Sequence, residues 1–203
     1  MSFRIENKYE VSIKKINNFY KFLKNNNVKQ LYDKRQINSI YFDNNYKDSF
    51  CNSEEGTVPR KKIRLRYYGS DDYSNKNELL LEKKINSYDG KYKTSVKVKN
   101  FKKLIKFGIN DNFYGNCNPV VVVNYTREYY KLDKFRITFD RNIKYKVFGK
   151  KIFFKDLEQC ILEIKINNLY LESEIDNLFP FKKPSIILIK APFFLIIIDL
   201  ANC

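Results

Sequence analysis

The chain predicts an α+β fold built mainly of antiparallel strands, on three observations. Charged and apolar residues alternate along most of the sequence, the period of strands whose successive side chains leave opposite faces. Apolar residues at helical spacing are confined to three short stretches. Gly and Pro total only 11 of 203 residues, against 43% hydrophobic and 16% aromatic, the composition of a folding chain. With no internal repeat and no Pro/Gly/Ser-rich linker, residues 1–203 are expected to form one domain.

Taken in order, Arg4–Tyr9 alternates as an opening strand. After Ser12, an N-cap residue type, Ile13, Ile16, Phe19, Tyr20 and Leu23 recur at helical spacing until Asn25-Asn26-Asn27 interrupts them. Ser39–Asp43 (SIYFD), Lys62–Tyr68 (KIRLRYY) and Leu79–Ile85 (LLLEKKI) read as strands, and polar Gly69–Asn77 as a hairpin loop. Lys91–Val98 is another strand. A short helix follows Asn100, with Phe101, Leu104 and Ile105 on one face and Gly108 as its stop. Val120–Arg127, Lys134–Asp140, Ile143–Phe148 and Ile161–Ile166 complete about nine strands, and a third helix is expected near Leu171, Ile175 and Leu178, ended by Pro180. The apolar stretch Ile186–Ile198 has 13 residues, broken by Lys190 and Pro192, whereas a membrane-spanning helix needs roughly 20; it reads as a buried terminal segment. The opening MSFRIENKYEV lacks the apolar core of a signal peptide, so the expected location is cytoplasmic.

Composition excludes several chemistries. Without a histidine there is no Ser-His-Asp or Cys-His nucleophile, no HExxH zinc site and no phosphohistidine. Cys51, Cys117, Cys160 and Cys203 form no CxxC and read as reduced thiols. The six glycines fall at no spacing of GxG or GxxxxGK type, so any phosphate must be held by side chains. Thirty-nine Lys and Arg against 23 Asp and Glu leave +16, which favours a polyanionic partner.

Strand phase sorts these charges. One face collects Arg4, Glu6 and Lys8; Arg64 and Arg66; Glu82 and Lys84; Lys91, Lys93 and Lys97; Arg136, Thr138 and Asp140; Glu163 and Lys165. The other collects Ile5; Ile63, Leu65 and Tyr67; Leu81 and Ile85; Tyr92, Val96 and Val98; Ile137 and Phe139; Leu162, Ile164 and Ile166. Two arrangements produce this pattern. Either the charged face is wet, as in many antiparallel sheets, or it lines a barrel lumen in which acids and bases pair and a charged ligand completes the balance.

The strings Arg4-x-Glu6-x-Lys8-Tyr9, SIYFD (Ser39–Asp43), KIRLRYYG (Lys62–Gly69), LEKK (Leu81–Lys84), NYTREYY (Asn124–Tyr130), RITFDRNI (Arg136–Ile143) and ILEIK (Ile161–Lys165) occur in this order. Together they resemble the VTC domain, the polyphosphate polymerase branch of the triphosphate tunnel metalloenzyme (CYTH-like) superfamily. The resemblance runs over nearly the whole chain. It implies a closed antiparallel β-barrel of roughly eight strands with about three flanking helices. The barrel would be a triphosphate tunnel in which the γ-phosphoryl of ATP passes to a polyphosphate chain with Mn²⁺ or Mg²⁺.

Carried over residue by residue, the resemblance makes Lys8, Arg64, Arg66, Lys84, Arg127 and Arg136 the catalytic cations. It makes Arg4, Lys93 and Lys190 further phosphate ligands, and Glu163 with Glu6 the metal ligands. Glu82 and Asp140 are expected to hold neighbouring bases. Lys97 competes with Lys93 for its role, and Lys190 stands in Ile189-Lys190-Ala191 where the family carries a Ser-Lys-aromatic box. The implied partners are ATP and inorganic polyphosphate or triphosphate, and a membrane-protein partner for the product stays open. An inorganic or nucleoside triphosphatase and a non-catalytic polyphosphate or polyanion binder are the alternatives. The basic charge and 33 Tyr and Phe residues motivate the binder, with nucleic acid disfavoured as its ligand.

Overall fold

The structure, a computed structural model, describes residues 4–156 and 159–167. In chain order its elements are β1 (Arg4–Ser12), a 3-10 turn (Ile13–Lys15), α1 (Ile16–Asn25), β2 (Lys29–Asp43), α2 (Asp48–Glu55), β3 (Arg60–Tyr68), β4 (Leu79–Ser87) and β5 (Gly90–Val98). These are followed by α3 (Phe101–Phe107), β6 (Ile109–Asp111), β7 (Gly115–Leu132), β8 (Phe135–Val147), β9 (Phe154–Asp156) and β10 (Gln159–Asn167). The fold is α+β and mostly antiparallel. Strands follow the order β1-β10-β8-β7-β2-β3-β4-β5, with β6 on β7 and β9 on β8. Among the described residues, no helix is long and apolar enough to cross a membrane.

Two compact units divide the chain. One comprises residues through Gln36, Tyr125–Lys144 and those from Lys155; the other comprises Ile37–Asn124 and Tyr145–Phe154.

In the first unit, β1 pairs with β10 from Arg4↔Asn167 to Ser12↔Gln159, and β10 pairs with β8 from Ile161↔Asp140 to Lys165↔Arg136. The apolar phase of these strands (Tyr9, Val11, Ile137, Phe139, Leu162, Ile164, Ile166) packs with Phe19 and Leu23 of α1. Phe19 stacks on Phe139 with ring centroids 4.4 Å apart. Ser12 caps the 3-10 turn, accepting from the Lys14 N–H at 3.4 Å, and α1 continues from it. Glu128 of β7 ties α1 down: it accepts from Tyr20 Oη at 3.1 Å and Tyr130 Oη at 2.7 Å, and pairs with Arg141 at 2.9 Å.

In the second unit, Ile40, Phe42, Ile63, Leu65, Tyr67 and Leu79 of β2–β4 form a core with Phe101 of α3, Ile109 and Tyr114. Its edge is closed by ions: buried Asp111 pairs with Lys61 at 2.8 Å and Lys83 at 3.2 Å. Each unit therefore covers the apolar phase of its strands with a helix, leaving the charged phase on the opposite face.

Several expectations shift. β2 begins at Lys29, ten residues before SIYFD, because the mostly exposed run KQLYDKR (Lys29–Arg35) is strand without alternating. The expected strands Lys134–Asp140 and Ile143–Phe148 are one continuous strand, β8. Unforeseen are β6, β9 and α2, whose sequence DSFCNSEE has no apolar stripe. α2 forms because the buried Asp43 carboxylate, at the end of β2, accepts the backbone N–H groups of Ser49 at 3.0 Å and Phe50 at 2.9 Å. On β5 the apolar phase is not buried, with Tyr92 40% and Val96 59% exposed, since β5 ends the strand path and pairs with β4 alone in it. The helix expected near Leu171, the apolar stretch Ile186–Ile198, Lys190 and Cys203 lie outside the described residues.

Candidate functional site

Register builds the charged face of the second unit. Tyr41 lies opposite Arg64, and Arg64 opposite Glu82, across β2, β3 and β4; Ser39 lies opposite Arg66. Glu82 is the centre of this group, only 4% exposed. Arg64 grips it with Nε at 2.8 Å and Nη2 at 2.6 Å, Lys93 of β5 donates to its other oxygen at 2.7 Å, and Arg66 Nε stands 3.7 Å away. Burial pushes the Glu82 carboxyl up, but Arg64, Lys93 and Arg66 outweigh it and hold the group down at about 2. Arg64 Nη1 donates to the Tyr41 hydroxyl at 3.1 Å. Burial also pushes the Tyr41 phenol up; Arg64, Lys62 and Arg66 together bring it down to about 8. One step along the strands, Lys62, Lys84 and Lys93 lie abreast on β3, β4 and β5. Ammonium groups directly opposite one another repel, and an anion laid across them relieves that repulsion. Lys97 is directed elsewhere, pairing with Glu78 at 2.7 Å.

The first unit has a different balance. Its charged face reads Lys8–Glu163–Thr138 in one cross-strand row and Glu6–Lys165–Arg136 in the next. Glu163 is 6% exposed and accepts from Thr138 Oγ1 at 3.3 Å. Lys165 Nζ lies 2.9 Å from Glu6 and 3.5 Å from Glu163, so both carboxylates turn toward one cation. Arg127 of β7 holds buried Asp140 with two bonds of 2.6 Å and approaches Glu163 at 3.7 Å. Burial would lower the Arg127 guanidinium, but Asp140, Tyr125 and Glu163 raise it, which keeps it charged. Burial pushes the Glu163 carboxyl up, and Lys8, Lys165 and Arg127 outweigh that and hold it below the usual carboxylate range. Lys8 and Arg136 are exposed. Arg4 begins β1 opposite Asn167.

The sequence-predicted residues thus fall into two groups. Arg64, Arg66 and Lys93 gather around Glu82 in the second unit, with Lys84 one step along the same face, while Glu6, Lys8, Arg127, Arg136 and Glu163 share a face of the first. Residues that the sequence reading passed over are Tyr41 and Lys62. Lys62 carries a signal in the sequence, two residues before Arg64 and so in phase with the RxR pair, whereas Tyr41 joins the site only through cross-strand register.

Among the described residues no group of three or more Asp, Glu, Cys or His side chains forms a ready metal cage. Two carboxylates converging on one cation, as Glu6 and Glu163 do on Lys165, fit the mode in which Mg²⁺-like ions take one or two carboxylates and complete their shell with water and substrate phosphate.

The model of the VTC domain family matches residues 3–114 and 109–187. The chain belongs to the VTC domain family. A search of curated proteins finds no match. Among solved structures, this VTC domain is similar to a candidate adenylate cyclase from Vibrio parahaemolyticus at 15% identity and TM-score 0.49, covering 87% of this chain and 82% of that one. It is also similar to a conserved hypothetical protein from Pyrococcus furiosus (15% identity, TM-score 0.48, 87% and 86% covered). A third is a candidate adenylyl cyclase from Hippeastrum described as revealing a dominant triphosphatase activity (11% identity, TM-score 0.49, 87% and 84% covered).

Proposed function

We propose that this VTC domain is an ATP-dependent, divalent-metal-dependent polyphosphate polymerase. In this reading residues 1–203 act as one domain, the sheet closes into a tunnel, and the charged phase of its strands faces the lumen. The observation that carries the reading is burial of the acids. A wet face would leave Glu82, Glu163 and Asp140 exposed, yet they are 4%, 6% and 6% exposed and engaged by Arg64, Lys93, Lys165 and Arg127. Buried acids that hold their bases in place preorganise those bases for an anion.

Phosphoryl transfer asks a protein mainly to position the reactants and to meet charge on the equatorial oxygens. In the Glu82 group three bases face one acid, so net positive charge remains for the triphosphate. Arg64 and Arg66 present planar guanidinium groups suited to phosphate oxygens, and Lys84 and Lys93 act as point charges. In the first unit Lys8, Arg127 and Arg136 bind phosphate; Arg4 and, outside the described residues, Lys190 are further ligands in this reading. Acids and bases are more nearly balanced there, which suits a site shared with a metal. Glu163 and Glu6 would hold Mn²⁺ or Mg²⁺, which when bound supplies charge neutralisation across neighbouring phosphates. Lys165, released from those carboxylates, becomes a further phosphate ligand.

The test is incubation of the purified chain with ATP and Mn²⁺. Growth of acid-labile polymer with release of ADP is expected, and it is lost in Arg64→Ala with Arg66→Ala. Hydrolysis of inorganic triphosphate without polymer would assign the site to a triphosphatase. Polyanion binding that survives the double substitution, with no turnover, would make the chain a binder.

A further inference from the structure

We propose that Tyr41 is a positioning residue that fixes the Arg64 guanidinium for anion binding; this rests on the phosphate-binding reading above. Ile40 and Phe42 enter the apolar core of the second unit, so Tyr41 between them stands on the charged face. There it lies directly opposite Arg64.

A guanidinium has two edges that matter here. Glu82 takes the Nε–Nη2 edge, at 2.8 and 2.6 Å. The Tyr41 hydroxyl accepts from Nη1 at 3.1 Å, and the Arg64 Cζ lies 5.8 Å from the centre of the Tyr41 ring. One carboxylate alone lets the group swing about its contact. A second acceptor on the remaining nitrogen fixes the plane before any ligand arrives, so less ordering entropy is lost on binding. Arg66 is held differently, its Nε 3.7 Å from Glu82 and beyond hydrogen-bond distance of it. Arg64 is thus engaged on both edges of its guanidinium, and the hydroxyl acceptor is what phenylalanine at position 41 would remove.

The experiment uses the full chain and inorganic triphosphate as probe, with Tyr41→Phe, Arg64→Ala and the double variant compared by calorimetry. Tyr41→Phe is expected to weaken binding about tenfold in the wild-type background and to change it less than about twofold when Arg64 is already alanine. Equal losses in both backgrounds, or no loss in the first, would overturn the proposal. Order parameters of the arginine Nε–H groups supply a readout that needs no ligand: Arg64 should become more mobile in Tyr41→Phe while Arg127 does not change. If the wild type binds no triphosphate and Arg64 still loosens, the phosphate reading fails and the positioning role stands. If Arg64 keeps its order, the positioning role fails whatever the ligand result.

Discussion

Glu82 carries more of the site than any cation around it, because removing it leaves Arg64, Arg66 and Lys93 to repel one another at close range. Its carboxyl titrates at about 2 in the folded chain against an ordinary 4.5. The folded value is the lower one, so its contribution is complete above about pH 4.5 and lost as pH falls through about 2. Glu82→Gln should therefore lower stability at pH 7 by about 3 kcal/mol. In urea melts the gap between wild type and variant should narrow steadily below pH 4.5. Much at this scale was legible from phase alone. Two-residue spacing placed Arg64 with Arg66 and Glu163 with Lys165 on charged faces, and Lys93 does meet Glu82. What escaped was Tyr41, because an aromatic flanked by Ile and Phe reads as packing until cross-strand register sets it against an arginine.

Among elements, α1 and α3 announced themselves through apolar spacing, and α2 did not. The difference is where each helix draws its support. α1 is held by Phe19 and Leu23 inside the core of its unit, whereas α2 is held at its N-terminus by Asp43, a residue of the preceding strand. A helix that depends on a cap from outside leaves little trace in its own composition. The same contrast gives a prediction. Phe19 is fully buried and stacked on Phe139, so Phe19→Ala should cost about 3–5 kcal/mol of unfolding free energy, measured by chemical denaturation. The register of β3, β4 and β5, and with it the Glu82 group, belongs to the second unit and is made without Phe19.

For the whole molecule, the excess of 39 basic over 23 acidic residues sets the range over which an anion is felt. Triphosphate affinity should fall by roughly tenfold or more between 50 and 500 mM salt, followed by calorimetry, because exposed charges such as Lys84 and Arg136 are screened at that ionic strength. A salt-independent affinity would place the binding energy in buried contacts instead. Strand order was the part of the fold least visible beforehand. Local pattern marks a strand but does not choose its neighbour, and β1 takes β10, with Arg4 opposite Asn167. That pairing has a consequence for synthesis. The hairpins of β3, β4 and β5 can close soon after they leave the ribosome, while β1 waits for residues 159–167, on the order of ten seconds later at ordinary elongation rates. β1 is thus paired only after every strand between it and β10 has been made, and its edge stays open over that interval.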